Sequence, residues 1–73
     1  MVKVYKESEK AIQIKMRIEN TISETETKEL VWIPKSQLDG KGFPKMWILG
    51  KKFEELFGYN GKNGYQLKGV EVE

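Results

Sequence analysis

The sequence predicts a small α+β fold, with one helix packed on a mainly antiparallel sheet of three to four strands in the order (β)ββαβ. Two observations predict it: apolar and polar residues alternate over Ala11–Glu19, and apolar residues recur at helical spacing after Pro44. A chain of 73 residues builds one hydrophobic core at most, so residues 1–73 are expected to form a single domain.

The alternating segment predicts a strand with one wet face. Isoleucine or methionine occupies every second position from Ile12 to Ile18, and polar residues occupy the positions between. A period of two is typical of a strand that buries one face and exposes the other. The segment before it, Val2–Tyr5, indicates either a short strand or a frayed end, and Glu7–Lys10 indicates a polar break.

A partner strand is expected at Thr27–Ile33, after a polar connection over Asn20–Glu26. The last four residues of this strand are all apolar, a pattern typical of a strand covered on both faces. Pro34 has no N–H to donate, so the strand ends there or lies at an edge. Ser36 is a candidate cap for the short turn that follows.

A helix is expected from about Pro44 to Phe57, with Gly58 as its stop. Its apolar stripe, at a spacing of three and four residues, consists of Met46, Leu49, Phe53, Leu56 and Phe57. Gly50 costs the helix about 1 kcal/mol relative to alanine. A shorter helix over Lys51–Phe57 therefore stays open as an alternative.

The last strand is expected over Tyr65–Val72, with Gly69 as the site of a bulge. Two Asn-Gly pairs, Asn60-Gly61 and Asn63-Gly64, precede it. Both residues of such a pair readily adopt positive φ. The pattern therefore predicts a loop between the helix and the last strand.

The composition argues against several kinds of site. The chain contains no cysteine and no histidine, so neither a zinc site nor a histidine base is expected. The absence of cysteine favours a reducing compartment, and no segment is long and apolar enough for a membrane span. We expect a cytoplasmic protein without a cofactor, a metal or a membrane partner.

Ordinary surface structure accounts for the other reactive groups. Glu24, Glu26 and Glu29 could gather as a divalent-cation site, but no calcium-loop spacing is present and a solvated acidic loop is the preferred interpretation. A nucleophile built from Ser36 beside Lys35 is chemically conceivable, yet neighbouring residues in a turn seldom meet in the required geometry. The protein is therefore interpreted as not being an enzyme.

A basic segment with nearby tryptophans is the strongest functional signal. Five lysines against Asp39 give Lys35–Lys52 a net charge of +4, and four glutamates against one lysine give Glu19–Glu29 a net charge of −3. Lysines can follow a phosphate backbone, and Trp47, which lies off the helix stripe, could be exposed and stack on bases. The alternative, that both tryptophans lie in the core and the lysines only keep the protein in solution, stays open. The predicted nucleic-acid-binding residues are Lys35, Lys41, Lys45, Trp47, Lys51 and Lys52. Lys15 and Arg17 on the wet strand face could extend this surface.

The segment Val31–Gln37, which reads Val-Trp-Ile-Pro-Lys-Ser-Gln, resembles a strand end in a family of short, mostly uncharacterised bacteriophage and mobile-element proteins. In that family a lysine-rich helix with a Pro-x-Trp pattern follows, from which Pro44–Trp47 departs by one inserted residue. The resemblance covers about residues 10–57. It implies a phage or prophage origin, the cytoplasm of a bacterial host and a small β-rich fold, but no particular site residues.

Two functions stay open at this point. The leading hypothesis is a non-enzymatic, phage-type accessory module that binds nucleic acid, either single-stranded or without sequence preference. The alternative is a protein-binding inhibitor or regulator of a host factor, which would act through a Trp47/Ile48 patch or through the acidic hairpin. A monomer or a weak homodimer is expected, because so small a sheet leaves edges open.

Overall fold

The computed structural model describes residues 1–58 and 63–73, and one helix covers one face of a four-stranded antiparallel sheet. The strands are β1 (Lys6–Glu7), β2 (Ala11–Asn20), β3 (Thr25–Pro34) and β4 (Tyr65–Val70), and the helix is α1 (Met46–Phe57). A short 3-10 helix, Lys35–Gln37, follows β3. The predicted α+β class and element order are confirmed. The Asn60-Gly61 pair lies outside the described residues.

The sheet is built on β2, which pairs with all three other strands. β3 lies along one edge of β2 from Ala11 opposite Pro34 to Asn20 opposite Thr25. β1 and β4 share the other edge, where β1 pairs near Ile12 and β4 pairs from Met16 onward. The sheet is therefore three strands wide along most of β2.

The hydrophobic core lies between α1 and one face of the sheet, the core face. Its buried residues are Val2 near the chain start, Ile12, Ile14, Met16 and Ile18 of β2, Val31 and Ile33 of β3, and Ile48, Leu49 and Phe53 of α1. The alternation predicted for β2 is confirmed, because its three isoleucines and its methionine all point to this face. The opposite face, the open face, has no helix on it among the described residues.

The structure corrects the predictions for β3. The polar connection is shorter than expected, because the side chain of Asn20 accepts hydrogen bonds from the N–H groups of Ile22 and Ser23, both at 3.0 Å. This tight turn lets β3 start at Thr25. The expectation of two covered faces is wrong, since Leu30 and Trp32 alternate outward and are 48% and 42% exposed.

The helix also differs from its prediction in rotation. It starts at Met46, so the shorter alternative is wrong. Met46 and Leu56, expected in the core, are exposed, whereas Ile48 is buried. This rotation stacks Phe57 on Phe53, with ring centroids 5.3 Å apart, and brings Phe57 against the tilted ring of Tyr65, at 4.6 Å.

Some of the residues that were predicted to end, cap or bend helices and strands do so, and one does not. Gly58 ends α1 with φ 87°, and its N–H donates to the carbonyl of Glu54. Gly69 lies at a register shift against β2, with φ 150°, which confirms the bulge. The expected Ser36 cap is absent, because the 3-10 helix has no side-chain cap hydrogen bond. Asn63 and Gly64 both have positive φ, as expected.

The two ends of the chain pair with each other. Val2 forms an antiparallel bridge with Val72, and the N–H of Lys3 donates to the carbonyl of Glu71 at 3.0 Å. Val2 is also buried. The frayed end considered for this segment is therefore wrong. The polar break is also shorter than expected, since β1 includes Glu7.

Candidate functional site

The start of α1 is presented by a compact loop. Asp39 organises it, since one carboxylate oxygen accepts from the N–H groups of Lys41 and Phe43 at 2.8 and 3.0 Å. The N–H of Lys45 then donates to the carbonyl of Gln37 at 2.9 Å. The loop thereby returns the chain to the side of the 3-10 helix and places Lys45 at the helix start.

The first turn of α1 has neither a side-chain cap nor an acidic residue. Lys45 occupies the N-cap position in an extended conformation, and no side chain caps the turn. The first N–H groups of a helix have no intrahelical acceptor, and they give this end a partial positive charge. Lys45 adds to that positive charge, and such an end favours an anion.

Trp47 lies in the same turn and is 56% exposed, which answers a question that the sequence left open. Lys51 follows it by four residues, so the two side chains lie on one face of the helix. We call the group Lys41, Lys45, Trp47 and Lys51 the helix-start surface. Within residues 1–58 and 63–73, its three lysines form no ion pair.

The other two predicted lysines have intramolecular partners. Lys35 binds Glu7 of β1, with the Nζ and Oε2 atoms 2.6 Å apart. Lys52 lies 4.0 Å from Glu55, and its side chain is partly buried. In the described part of the chain, the predicted set therefore divides into a group at the helix start without ion pairs and two lysines whose charge is partly compensated.

The second half of α1 limits this positive surface. Glu54 and Glu55 are both exposed there. The basic character is therefore confined to the first two turns of the helix and to the loop before it. A ligand with negative charge would be attracted to the start of α1 and repelled from its end.

Trp32 is a second exposed tryptophan and lies on the open face of the sheet, although the apolar run in the sequence predicted a strand covered on both faces. Trp32 lies opposite Gln13, and Leu30 lies opposite Lys15. The signal was present in the sequence: a strand paired with the alternating β2 must alternate too, so every second residue of Leu30–Ile33 faces outward.

Most cations on the open face are already paired. Arg17 lies 3.0 Å from Glu26. Lys15 lies over the ring of Tyr5, with Nζ 4.7 Å from the centroid, and Lys3 approaches the same ring. The suggestion that Lys15 and Arg17 extend a free basic surface is therefore not favoured by these contacts.

Glu71 is the centre of the charge network on the open face. Lys28 reaches it across the sheet at 2.8 Å, Lys3 lies at 3.5 Å, and Tyr5 donates its hydroxyl hydrogen to it. The hydrogen bond from Lys28, followed by that from Tyr5, lowers the pKa of Glu71 to about 2. The same bond to Glu71 raises the pKa of Lys28.

The acidic residues near the hairpin do not converge. No group of three possible ligand side chains that could hold a metal occurs in the part of the chain that the structure describes. Glu26 is instead bound to Arg17. Likewise, none of the described helices is long and apolar enough to cross a membrane.

The patch suggested for a protein partner is also corrected. Ile48 is 6% exposed and belongs to the core, because it lies beside Leu49 on the face that α1 packs on the sheet. Trp47 therefore has no apolar partner in Ile48. Its exposed neighbour in the first turn is Met46.

The motif Val31–Gln37 forms a structural corner. Val31 and Ile33 enter the core, Pro34 ends β3, and the N–H of Lys35 donates to the carbonyl of Lys10 at 2.8 Å. In comparisons with known proteins, no family model, curated protein or solved structure matches the chain. The phage resemblance of this motif therefore stays a prediction.

Proposed function

We propose that the protein is a non-enzymatic module that binds nucleic acid, single-stranded or without sequence preference, through the helix-start surface. The observation that supports this proposal is the exposed ring of Trp47 at an uncapped helix start, between Lys45 and Lys51, which form no ion pair within residues 1–58 and 63–73. A phage-type accessory role in a bacterial cytoplasm, implied by the motif resemblance, is part of the proposal.

The chemistry of the surface suits an unpaired strand. Phosphate oxygens would accept hydrogen bonds from the lysines and from the free N–H groups of the first helical turn. A base would stack on Trp47, an interaction of about 1–3 kcal/mol per base. Because the bases of a duplex are already stacked, the aromatic contribution favours a single strand.

The same geometry limits the number of phosphate contacts. Lys41, Lys45 and Lys51 are free among the described residues, whereas Lys35 and Lys52 have carboxylate partners. Each lysine that neutralises a phosphate of a single strand contributes about −0.7 to the slope of log K against log salt. A slope of about −2 is therefore expected.

The experiment is a fluorescence titration with oligo(dT) and with a short duplex at several salt concentrations. The variant Trp32→Phe leaves Trp47 as the only tryptophan, so that quenching reports on the proposed surface. We expect saturable quenching by the single strand that weakens with salt. The absence of quenching at low salt would reject the proposal.

A matched pair of double variants locates the binding surface. Lys45→Gln/Lys51→Gln removes two lysines that have no ion pair among the described residues, and Lys35→Gln/Lys52→Gln removes two that have carboxylate partners. Both variants lose the same charge. We expect the first to weaken binding strongly and to reduce the salt slope by about 1.4, and the second to have a smaller effect. Equal effects would show that net charge alone governs binding.

Binding to a host protein is the second candidate, and the adjacent exposed side chains of Met46 and Trp47 favour it. Aromatic residues are enriched among those that contribute most to interfaces. A partner captured from bacterial lysate through Trp47 that resists nuclease and high salt would support this candidate. Loss of the partner on nuclease treatment would support nucleic acid instead.

A further inference from the structure

The outer edge of β3 has no strand beside it in the described part of the chain. Of the strands within residues 1–58 and 63–73, β3 pairs with β2 alone. A free edge presents a row of unpaired N–H and C=O groups, onto which another strand can add. The length of β3, 10 residues, makes this row long.

The ladder with β2 shows which groups point to the free edge. The N–H of Lys35 donates to the carbonyl of Lys10, one step beyond the pair Ala11–Pro34. Hydrogen-bonded and non-hydrogen-bonded pairs alternate in an antiparallel ladder. The residues of β3 that direct their N–H groups away from β2 are therefore Glu26, Lys28, Leu30 and Trp32.

The side chains of these residues are charged in the first half of the edge and apolar in the second half. Glu26 and Lys28 are charged, and charges normally discourage the addition of a strand. Leu30 and Trp32 are apolar and exposed, so the second half of the edge lacks that protection until Pro34. Such an edge combines unpaired backbone groups with apolar side chains on the open face.

We propose that a second copy of this chain pairs with this edge, antiparallel, about a two-fold axis at Leu30. In this register Leu30 faces Leu30 of the other copy, and Lys28 faces Trp32. Every outward N–H of β3 then meets a carbonyl, because Glu26 faces Pro34, which needs only to accept. The side chains of Lys28 and of Trp32 of the other copy are then cross-strand neighbours on the open face, and the ammonium group of Lys28 stays near Glu71.

Neighbouring registers are less favourable. A two-fold axis at Glu29 would oppose two glutamates directly, and an axis at Lys28 would oppose two lysines, both of which are destabilising. An axis at Val31 would place Glu26 opposite Ser36, which lies beyond the strand in the 3-10 helix. The N–H of Glu26 would then have no carbonyl partner.

Amide hydrogen exchange measured by NMR at several protein concentrations tests the edge residue by residue. We expect the amides of Glu26, Lys28, Leu30 and Trp32 to gain protection as the concentration rises. The amides of Val31 and Ile33 donate within the β2–β3 ladder and serve as internal controls. Sedimentation in parallel should show a mass that rises from 8.5 kDa towards twice that value. A constant mass and exchange independent of concentration would overturn the proposal.

Two substitutions at one position test the register. Trp32→Glu and Trp32→Lys remove the same indole from the open face and differ only in the charge that they place opposite Lys28 of the other copy. We expect Trp32→Glu to retain salt-sensitive dimers and Trp32→Lys to be monomeric. Loss of the dimer in both variants, with each still folded by circular dichroism, would overturn this register. Neither substitution touches the helix-start surface, so nucleic-acid binding is tested independently.

Discussion

The two faces of β2 are stabilised by different physical forces. On the core face, Ile14 and Met16 are 0% exposed, and apolar burial stabilises them by about 25 cal/mol per Å² of surface removed from water. On the open face, neighbouring Lys15 and Arg17 remain partly exposed and interact with Tyr5 and Glu26. Ion pairs between exposed groups each contribute at most about 1 kcal/mol.

The two faces of the sheet therefore have different roles: one holds the fold together, and the other is accessible to solvent. The core face determines the fold, since its contacts are close-packed and do not depend on salt. The open face and the edge beside it stay accessible to solvent, and they tolerate change more readily. Substitutions on the two faces should therefore differ in size and in their dependence on pH and salt.

The largest effect is expected from Met16→Ala. Met16 is fully buried on the core face of β2, so its truncation removes apolar contacts and leaves a cavity. We expect a loss of about 2–5 kcal/mol in the free energy of unfolding, measured by urea denaturation. A loss below that of the Arg17→Ala variant next to it would contradict the contrast between the faces.

Glu71→Gln should alter the pH dependence of stability on the open face. The pKa of Glu71 is lowered from 4.5 to about 2 by its partners, so its contribution is complete above about pH 4.5 and is lost as the pH falls towards 2. We expect a lower Tm at pH 7 than in the wild type and a smaller difference near pH 2.

Thermal denaturation followed by circular dichroism across this range measures the effect. Glu54→Gln is the control, because Glu54 forms no ion pair in residues 1–58 and 63–73. A Glu71→Gln profile parallel to that of the wild type from pH 7 to pH 2 would refute the coupling.

Gly50→Ala should strengthen the helix that covers the core face. A Cβ at Gly50 meets nothing within 4 Å, and alanine in a helix interior is favoured over glycine by about 0.5–1 kcal/mol. We expect a gain of that size in urea denaturation. Gly64→Ala is the opposite control, since its Cβ would lie 2.8 Å from Ile22 at φ 84°, and it should destabilise.

The smallest effect is expected from Arg17→Ala. Its ion pair with Glu26 is 3.0 Å long, but both side chains are more than 40% exposed. We expect a loss of about 0.2–1 kcal/mol that shrinks in 1 M salt, where screening is strong. A loss that does not depend on salt would indicate packing of the side chain rather than its charge.

Local sequence patterns predicted where the helices and strands lie better than they predicted which side chains of each element are buried. The alternation in β2, the helix limits within two residues, and the roles of Gly58 and Gly69 all follow from spacing and backbone preference. The rotation of α1 did not follow, because Phe57 is oriented by Tyr65, which lies on a later strand. A contact between distant residues has no local signal.

The sequence predicted which residues make up the candidate site, but not which of its lysines form ion pairs. The helical spacing left Trp47 and Ile48 off the apolar stripe, yet Trp47 is exposed and Ile48 is buried. The partner of Lys35, however, is Glu7 on another strand, and only the folded sheet brings these two together. Which lysines stay free thus depends on tertiary structure, whereas the number of lysines depends on composition alone.

The central position of β2 has a consequence for the order of folding. Its pairing with β3 joins neighbouring segments through a tight turn, and closing so short a loop costs little entropy. Its pairing with β4 joins Asn20 to Tyr65, and the bridge of Val2 with Val72 spans nearly the whole chain. We expect the β2–β3 hairpin to form first and the joining of the chain ends to complete the sheet last.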